Sequence, residues 1–219
     1  MINATVSGLR RATTIQLNWW VLMACPLLGA GLATVVRRAT PEISVSQVLS
    51  TVLPLVMAAP VCWAAVVAAG EYRGDQHRTI QLAVPGVWTR LCADAVRLVV
   101  VVMLGAVVST AGLSVALHLG IKGELLPVFV LLGCLTACAA MLADLARNAV
   151  VGASVILCFV WFAPLLTRTW ARGRDFLPID EISAASAGHW LQGDITPAIV
   201  WMGLLLLVWC VRYWWPIRR

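Results

Sequence analysis

The side chains most capable of chemistry in this sequence are its seven cysteines, because thiolates bind soft metals and form disulfides. No two of them stand in a Cys-x-x-Cys spacing, and only Cys134 and Cys138 would share one face of a helix. Cysteine inside an apolar segment behaves as a small hydrophobic residue. We therefore expect no metal or redox site among Cys25, Cys62, Cys92, Cys134, Cys138, Cys158 and Cys210.

Enzymatic chemistry inside a membrane would need polar groups that converge in a wet pocket. The charged residues lie instead toward the ends of the apolar segments, and polar residues within those segments, such as Ser109 and Thr136, are typical of helix-packing contacts. No GxxxxGK[ST] phosphate loop occurs, and the single lysine, Lys122, has no glycine-rich loop beside it. We expect no catalytic residue, no metal and no cofactor in this chain.

The composition indicates the class of protein to which these residues belong. The chain has 219 residues, of which 61% are hydrophobic and 12% charged, with a mean hydropathy of +0.90. Soluble domains are about 45–50% apolar and about 25% charged, so this chain would expose too much apolar surface in water. It is predicted to be an integral membrane protein with a single domain over residues 1–219. The net charge is +6, but the sequence predicts no soluble domain whose surface could form a basic face. This argues against a nucleic-acid partner.

Apolar runs bounded by polar residues predict membrane-spanning helices, since every backbone polar group must be paired in hydrocarbon. The runs are continuous rather than alternating, which argues against a membrane β-barrel. The sequence therefore predicts an all-α integral membrane fold with six spans, at about residues 19–36, 48–70, 98–119, 125–143, 149–166 and 197–211.

The distribution of arginine and lysine predicts the orientation of these spans. With a cytoplasmic N-terminus, 10 of these residues fall in cytoplasmic segments and 6 in external ones. An excess of basic residues is typical of cytoplasmic loops. Both termini are therefore predicted to be cytoplasmic.

One polar interruption, residues 68–98, separates the second and third predicted spans. Within it, residues 75–84 are predicted to form a short helix, because Asp75 can cap its start and Pro85 and Gly86 end it. A helix this short is marginal alone and needs a partner for its apolar face. That partner is another protein or, as the alternative, the lipid surface or the rest of this chain. That face would consist of Ile80, Ala83 and Val84, with His77 beside them.

This interruption resembles the cytoplasmic loop of ABC-type-2 transporter permeases. The likeness is carried by Glu71, Tyr72, Arg73, Gly74, Thr79, Ile80, Pro85 and Arg90. It extends to the six-span layout, an amphipathic N-terminal segment, a tight link between spans four and five, and the external segment before span six. In that external segment "FLPIDEISAASAGHWLQGD" has the Leu-Pro pair and the small-residue turn of the family.

The resemblance implies a permease that pairs with a second copy, as a homodimer in a bacterial plasma membrane, and with a separate ATP-hydrolysing subunit that binds ATP and magnesium. It implies a connecting helix at residues 7–18, a coupling helix at 75–84 and a re-entrant external segment at 168–194. The residues that would contact or orient the ATPase are Glu71, Tyr72, Arg73, His77, Arg78, Thr79, Ile80, Ala83, Val84, Asp144 and Arg147.

The resemblance also places spans two and five along a translocation path at the dimer interface. Large side chains there would contact an apolar or amphipathic cargo, since aromatic rings offer large apolar contact areas. Packing or lipid contact is the alternative role for them. The candidates are Met57, Trp63, Phe159, Trp161 and Phe162.

Two other classes of function remain open from the sequence. One is an accessory or immunity protein that binds without transporting, and the other is an intramembrane enzyme. A neighbouring gene that encodes a Walker-motif ATPase would favour the exporter permease over both.

The predicted topology can be tested with a reporter fused after Arg219. We expect a reporter that functions only in the cytoplasm to be active there, because the arginine bias places the C-terminus inside. Activity only from a reporter that functions outside the membrane would contradict the predicted orientation.

Overall fold

A computed structural model describes residues 16–39, 45–70, 72, 86–117, 125–169 and 196–214. These residues contain seven helices and no strand. The helices are α1 (Gln16–Ala39), α2 (Val45–Val56), α3 (Ala58–Ala69), α4 (Val87–Leu117), α5 (Leu125–Ala146), α6 (Ala149–Thr169) and α7 (Thr196–Trp214). The predicted all-α class is confirmed.

Three described helical stretches are long and apolar enough to cross a membrane: Val52–Ala69, Val87–Val115 and Val128–Ala146. Two shorter apolar helices, Ala149–Phe162 and Val200–Arg212, accompany them. The chain is therefore a helical membrane protein. The number of six spans stays a prediction.

Two predicted boundaries differ from the structure. Helix α1 begins at Gln16, so the last residues of the predicted connecting helix belong to the same helix as the first predicted span. Helix α4 begins at Val87 rather than near Leu98, with the Arg90 amide hydrogen-bonded to the Gly86 carbonyl at 3.1 Å. The charged residues before Leu98 belong to α4 because a continuous helix hydrogen-bonds their backbone groups. In addition, Asp94 and Arg97 lie one turn apart and form an ion pair with 3.6 Å between their side chains.

Three predicted segments fall wholly or mostly outside the described residues. They are residues 7–15 of the connecting helix, the coupling helix at 75–84, and residues 170–194 of the external segment.

Helix α3 lies at the centre of the bundle and packs against α1, α2, α4, α5 and α6. Its sequence "AAPVCWAAVVAA" is rich in small residues, and most of them are buried. Gly105 of α4 continues this close packing, since a Cβ there would lie 3.3 Å from the Pro60 Cβ and 3.5 Å from the Thr136 Cγ2. Small residues at helix crossings let backbones approach, which is the main source of packing energy within a membrane.

The predicted second span is divided at Met57 into α2 and α3, although its apolar stretch Val52–Ala69 is long enough to cross a membrane as a unit. Pro54 and Pro60 flank this residue, and each lacks the N–H that would bond to the carbonyl four residues earlier. The Met57 amide still reaches the Leu53 carbonyl at 3.0 Å, so the chain continues across the joint. The two prolines account for a kink at this joint.

Helices α5 and α6 approach closely across a tight turn at Arg147 and Asn148. The Asn148 amide bonds to the Ala143 carbonyl at 3.0 Å, and the Asn148 Oδ1 accepts from the Val150 amide at 2.9 Å. An asparagine oxygen in this position caps the first turn of the following helix. A Cβ at Gly152 would lie only 2.5 Å from the Ala143 Cβ and 2.6 Å from its backbone nitrogen.

We expect Gly152→Ala to destabilise the protein by about 1–3 kcal/mol or more, because backbone atoms of α5 would have to move. The matched control is Gly203→Ala in α7, where an added Cβ meets nothing within 4 Å and helix propensity favours alanine. Thermal unfolding of the two purified variants in detergent measures the difference. Equal melting temperatures would contradict the close approach of α5 and α6.

Candidate functional site

The described part of the chain has a buried carboxylate at one end of the bundle. Asp144 lies in the last turn of α5, and its side chain is only 6% exposed. A buried carboxylate is costly unless its oxygens accept hydrogen bonds or pair with a cation. The side chains around Asp144 therefore form the candidate functional site.

Both carboxylate oxygens of Asp144 are bonded to groups from other elements. The Tyr72 hydroxyl, just beyond the end of α3, donates to Oδ1 at 2.7 Å. From α7, the Trp209 indole N–H and the Arg212 Nη1 both donate to Oδ2 at 2.7 Å. The Asp144 cluster, defined as Tyr72, Asp144, Trp209 and Arg212, thus joins three parts of the chain.

Arg212 binds this cluster at three points. Its Nη1 also donates to the Asp144 backbone carbonyl at 2.7 Å, and its Nη2 donates to the Tyr72 hydroxyl oxygen. The carbonyl is one of those left without a helical partner at the end of α5. Arg212 therefore neutralises the carboxylate, caps the helix and orients the tyrosine.

Arg147 adds a second cation at the edge of the cluster. Its guanidinium carbon and that of Arg212 each lie 5.6 Å from the centroid of the Tyr72 ring, within cation–π distance. Arg147 has a left-handed backbone, with φ of 54°, which lets the α5–α6 turn reverse. Its side chain is exposed, so its charge is available at the surface.

Tyr72 lies outside the membrane-spanning stretches, and its phenol is held neutral. Burial raises its pKa well above the usual range, and the negative charge of Asp144 raises it further, while Arg212 partly opposes this. Because the folded pKa exceeds the unfolded value of about 10, the resulting stability is present below pH 10 and is lost as the pH rises above it. Tyr72 therefore acts as a hydrogen-bond donor at neutral pH.

A small, open cleft lies beside the cluster, between α3, α4, α5 and α7. Its lining combines small apolar residues with charged ones. The lining residues are Ala64, Val67, Ala68, Asp94, Arg97, Leu98, Val101, Ala140, Asp144 and Trp209. The described residues contain no group of three His, Cys, Asp or Glu side chains that could hold a metal ion. The chemistry that this end of the bundle supports is charge-assisted contact between segments.

The structure brings together three of the predicted ATPase-coupling residues, Tyr72, Asp144 and Arg147. Two further residues of the Asp144 cluster, Trp209 and Arg212, are not predicted by the sequence. They lie three residues apart on one face of α7. The available signal is an arginine within the last turn of an apolar helix, which a role in membrane topology explains equally well. The other predicted coupling residues lie outside the described part of the chain: Glu71, Arg73, His77, Arg78, Thr79, Ile80, Ala83 and Val84.

The predicted path residues divide between the core and the outer surface. Met57 is buried at the kink, and Trp63 is buried with its indole N–H unpaired. Phe159 is half-buried, whereas Trp161 and Phe162 are exposed on α6. Trp161 nevertheless reaches the kink, since its indole N–H donates to the Pro54 carbonyl at 3.2 Å. These five side chains do not form one continuous surface within a single chain.

Comparisons of this chain with protein-family models, with curated proteins and with solved structures find no match. The resemblance to ABC-type-2 permeases therefore stays a prediction from the sequence. The contacts of the Asp144 cluster and the sequence around it are therefore the observations that bear on function.

We expect Asp144→Asn and Arg212→Met each to cost about 3–5 kcal/mol of stability, because each change breaks a buried ion pair. The Asp144→Asn/Arg212→Met double variant should cost much less than the sum of the two, since no buried charge loses its counterion. Unfolding of the four proteins in detergent gives the coupling energy.

The control for this cycle is Arg38→Met, whose side chain is exposed in the last turn of α1. It should change stability by less than about 0.5 kcal/mol. Strictly additive effects of the two cluster substitutions would contradict the buried pair.

Proposed function

We propose that this chain is the transmembrane permease subunit of an ATP-driven exporter of the ABC-type-2 kind. ATP would be hydrolysed by a separate subunit, and the permease would carry an apolar or amphipathic cargo across a bacterial plasma membrane. The single observation that carries the proposal is the hydrogen bond between Tyr72 and Asp144. It joins the two segments that the resemblance assigns to contact with the ATPase.

The first of these segments follows Tyr72 directly in the sequence, and the second is the α5–α6 turn that follows Asp144. A partner that binds both would need them on the same end of the bundle. The Tyr72–Asp144 bond supports such an arrangement, because the two residues are 72 positions apart in the chain and 2.7 Å apart in space.

The Asp144 cluster also offers a route for transmitting a movement. A partner that pulls the segment after Tyr72 would act on a buried carboxylate, which is in turn bonded to α7 through Trp209 and Arg212. Hydrogen bonds to charged groups contribute about 1.5–3 kcal/mol each, so the elements would move together rather than separate. The cluster would thus convert one contact into a displacement of three helices.

The charges at this end support a cytoplasmic location for it. Arg97, Arg147 and Arg212 lie in or beside the cluster and its cleft, against Asp94 and Asp144. The excess of arginine agrees with the positive-inside tendency. In this orientation the cluster faces the compartment that holds ATP.

The proposal includes six spans and a dimer of permeases. Large apolar side chains lie exposed on α6 and α7, among them Trp161, Phe162, Trp201 and Leu204. In a membrane these faces contact lipid or a second copy of the chain. A path between two copies would place Trp161 and Phe162 near the cargo and would leave Met57 and Trp63 as core residues behind them.

The proposed function is tested by co-expressing the tagged chain with any ABC-type ATPase that a neighbouring gene encodes. We expect Ile80→Asp to lose co-purification of the ATPase, because a carboxylate would replace an apolar contact of about 1.5–3 kcal/mol. Gln76→Ala, on the same predicted helix, is the matched control and should be close to the unchanged protein.

Arg147→Gly is a second, independent probe, because glycine fits a φ of 54° and leaves the turn intact. It removes the exposed charge together with its weak cation–π contact to Tyr72, and we expect ATPase binding to fall several-fold while the melting temperature stays within a few degrees. Full ATPase binding and transport by both Ile80→Asp and Arg147→Gly would overturn the coupling assignment. Absence of any ABC-type ATPase that binds the chain would overturn the exporter proposal itself.

A further inference from the structure

A contact between two sulfur atoms joins α5 to α7, away from the Asp144 cluster. The Cys138 thiol contacts the Met202 thioether with 3.5 Å between the two sulfurs. Cys134 lies one turn before Cys138 on the same face of α5, and side chains four residues apart on a helix have Cβ atoms about 5–6 Å apart. Two soft ligands from two helices thus touch, and a third cysteine lies one helical turn away on α5.

We propose that Cys134, Cys138 and Met202 form a binding site for a soft monovalent metal ion, Cu(I) or Ag(I). Thiolate and thioether sulfur select such ions, whereas harder ions prefer imidazole, carboxylate or carbonyl ligands. The sequence alone predicted no metal site, because the two cysteines are too few and Met202 is 64 residues away from Cys138. Only the packing of α7 on α5 supplies the third ligand.

The charge of the complex favours a monovalent ion. Binding releases the Cys138 proton to solvent, and a monovalent ion with that thiolate and the uncharged Met202 thioether carries no net charge. Cys134 then stays protonated and is a weaker third sulfur donor. A neutral complex avoids the large cost of burying an ion among apolar helices. Zn²⁺ would need both cysteines deprotonated and a fourth ligand to complete a tetrahedral site.

The geometry needs only a small adjustment to admit the ion. With metal–sulfur bonds of about 2.3 Å, three sulfurs around one ion lie roughly 4 Å from each other. The Cys138 and Met202 sulfurs, now 3.5 Å apart, would therefore separate by roughly half an ångström. Helix α7 can supply this shift, because in the described chain it packs mainly on α5, with a smaller contact to α4. All three side chains are half-buried, which leaves an entry route for the ion.

Bound metal would join α7 to α5 at a second point, toward the middle of both helices. The Asp144 cluster already joins them at one end through Trp209 and Arg212. Anything that binds the folded chain but not the unfolded chain raises its stability, so metal binding should raise the melting temperature. This inference does not depend on the proposed transport function.

The test titrates the purified full chain in detergent with Cu(I) in the presence of a competing Cu(I) chelator and without thiol reductants. We expect one equivalent of Cu(I) per chain to resist the chelator, with all-sulfur coordination by X-ray absorption. Cys138→Ser and Met202→Leu should each weaken binding by about 10-fold or more, as is common when a group that supports a metal site is removed. Zn²⁺ should not be retained.

The matched control is Cys158→Ser, which removes an exposed cysteine on α6 and should bind Cu(I) as the unchanged chain does. The melting temperature without metal shows that each variant is folded. Complete loss of Cu(I) to the chelator from the unchanged chain would overturn the site. Equal binding by Cys138→Ser and Cys158→Ser would overturn it as well, because the metal would then be held elsewhere.

Discussion

The arrangement of the helices at one end of this protein depends on the need to satisfy one buried carboxylate. Asp144 is almost fully covered, so its oxygens must be bonded within the protein. The donors come from Tyr72, after the central helix, and from Trp209 and Arg212 on α7. Helix α7 has few other packing partners in the described chain, so the position of its C-terminal end is fixed largely by this requirement.

The centre of the bundle follows a different constraint, close contact between backbones. Helix α3 consists largely of alanine and valine, and Gly105 and Gly152 remove the side chains that would hold α4 and α6 away. Pro54 and Pro60 flank the joint at Met57, and each removes one backbone hydrogen bond from the helix. Helix α6 contacts this joint, since the Trp161 indole N–H donates to the Pro54 carbonyl.

The sequence predicts the helices well because a continuous apolar run of sufficient length has few alternatives in a membrane. The bounds of α5 and α6 lie close to those predicted, since polar residues mark the turn between them. The early start of α4 was missed, because its charged first turns look like a loop when their partners are unknown. Trp209 and Arg212 were missed for the same physical reason. Their role depends on a contact with Asp144 across more than sixty residues, and no local pattern encodes such a contact.

Arg147 has a backbone conformation that is unfavourable for an arginine. A left-handed backbone costs a non-glycine residue about 1–2 kcal/mol, and glycine would fit the turn without that cost. The cation–π contact with Tyr72 returns about 0.5–1 kcal/mol at an exposed site. The two terms leave a net cost, so the stability of the turn does not account for an arginine at this position. An exposed arginine at a turn between two membrane helices agrees with the excess of basic residues on the cytoplasmic side. Its charge is also available for the partner contact that we propose.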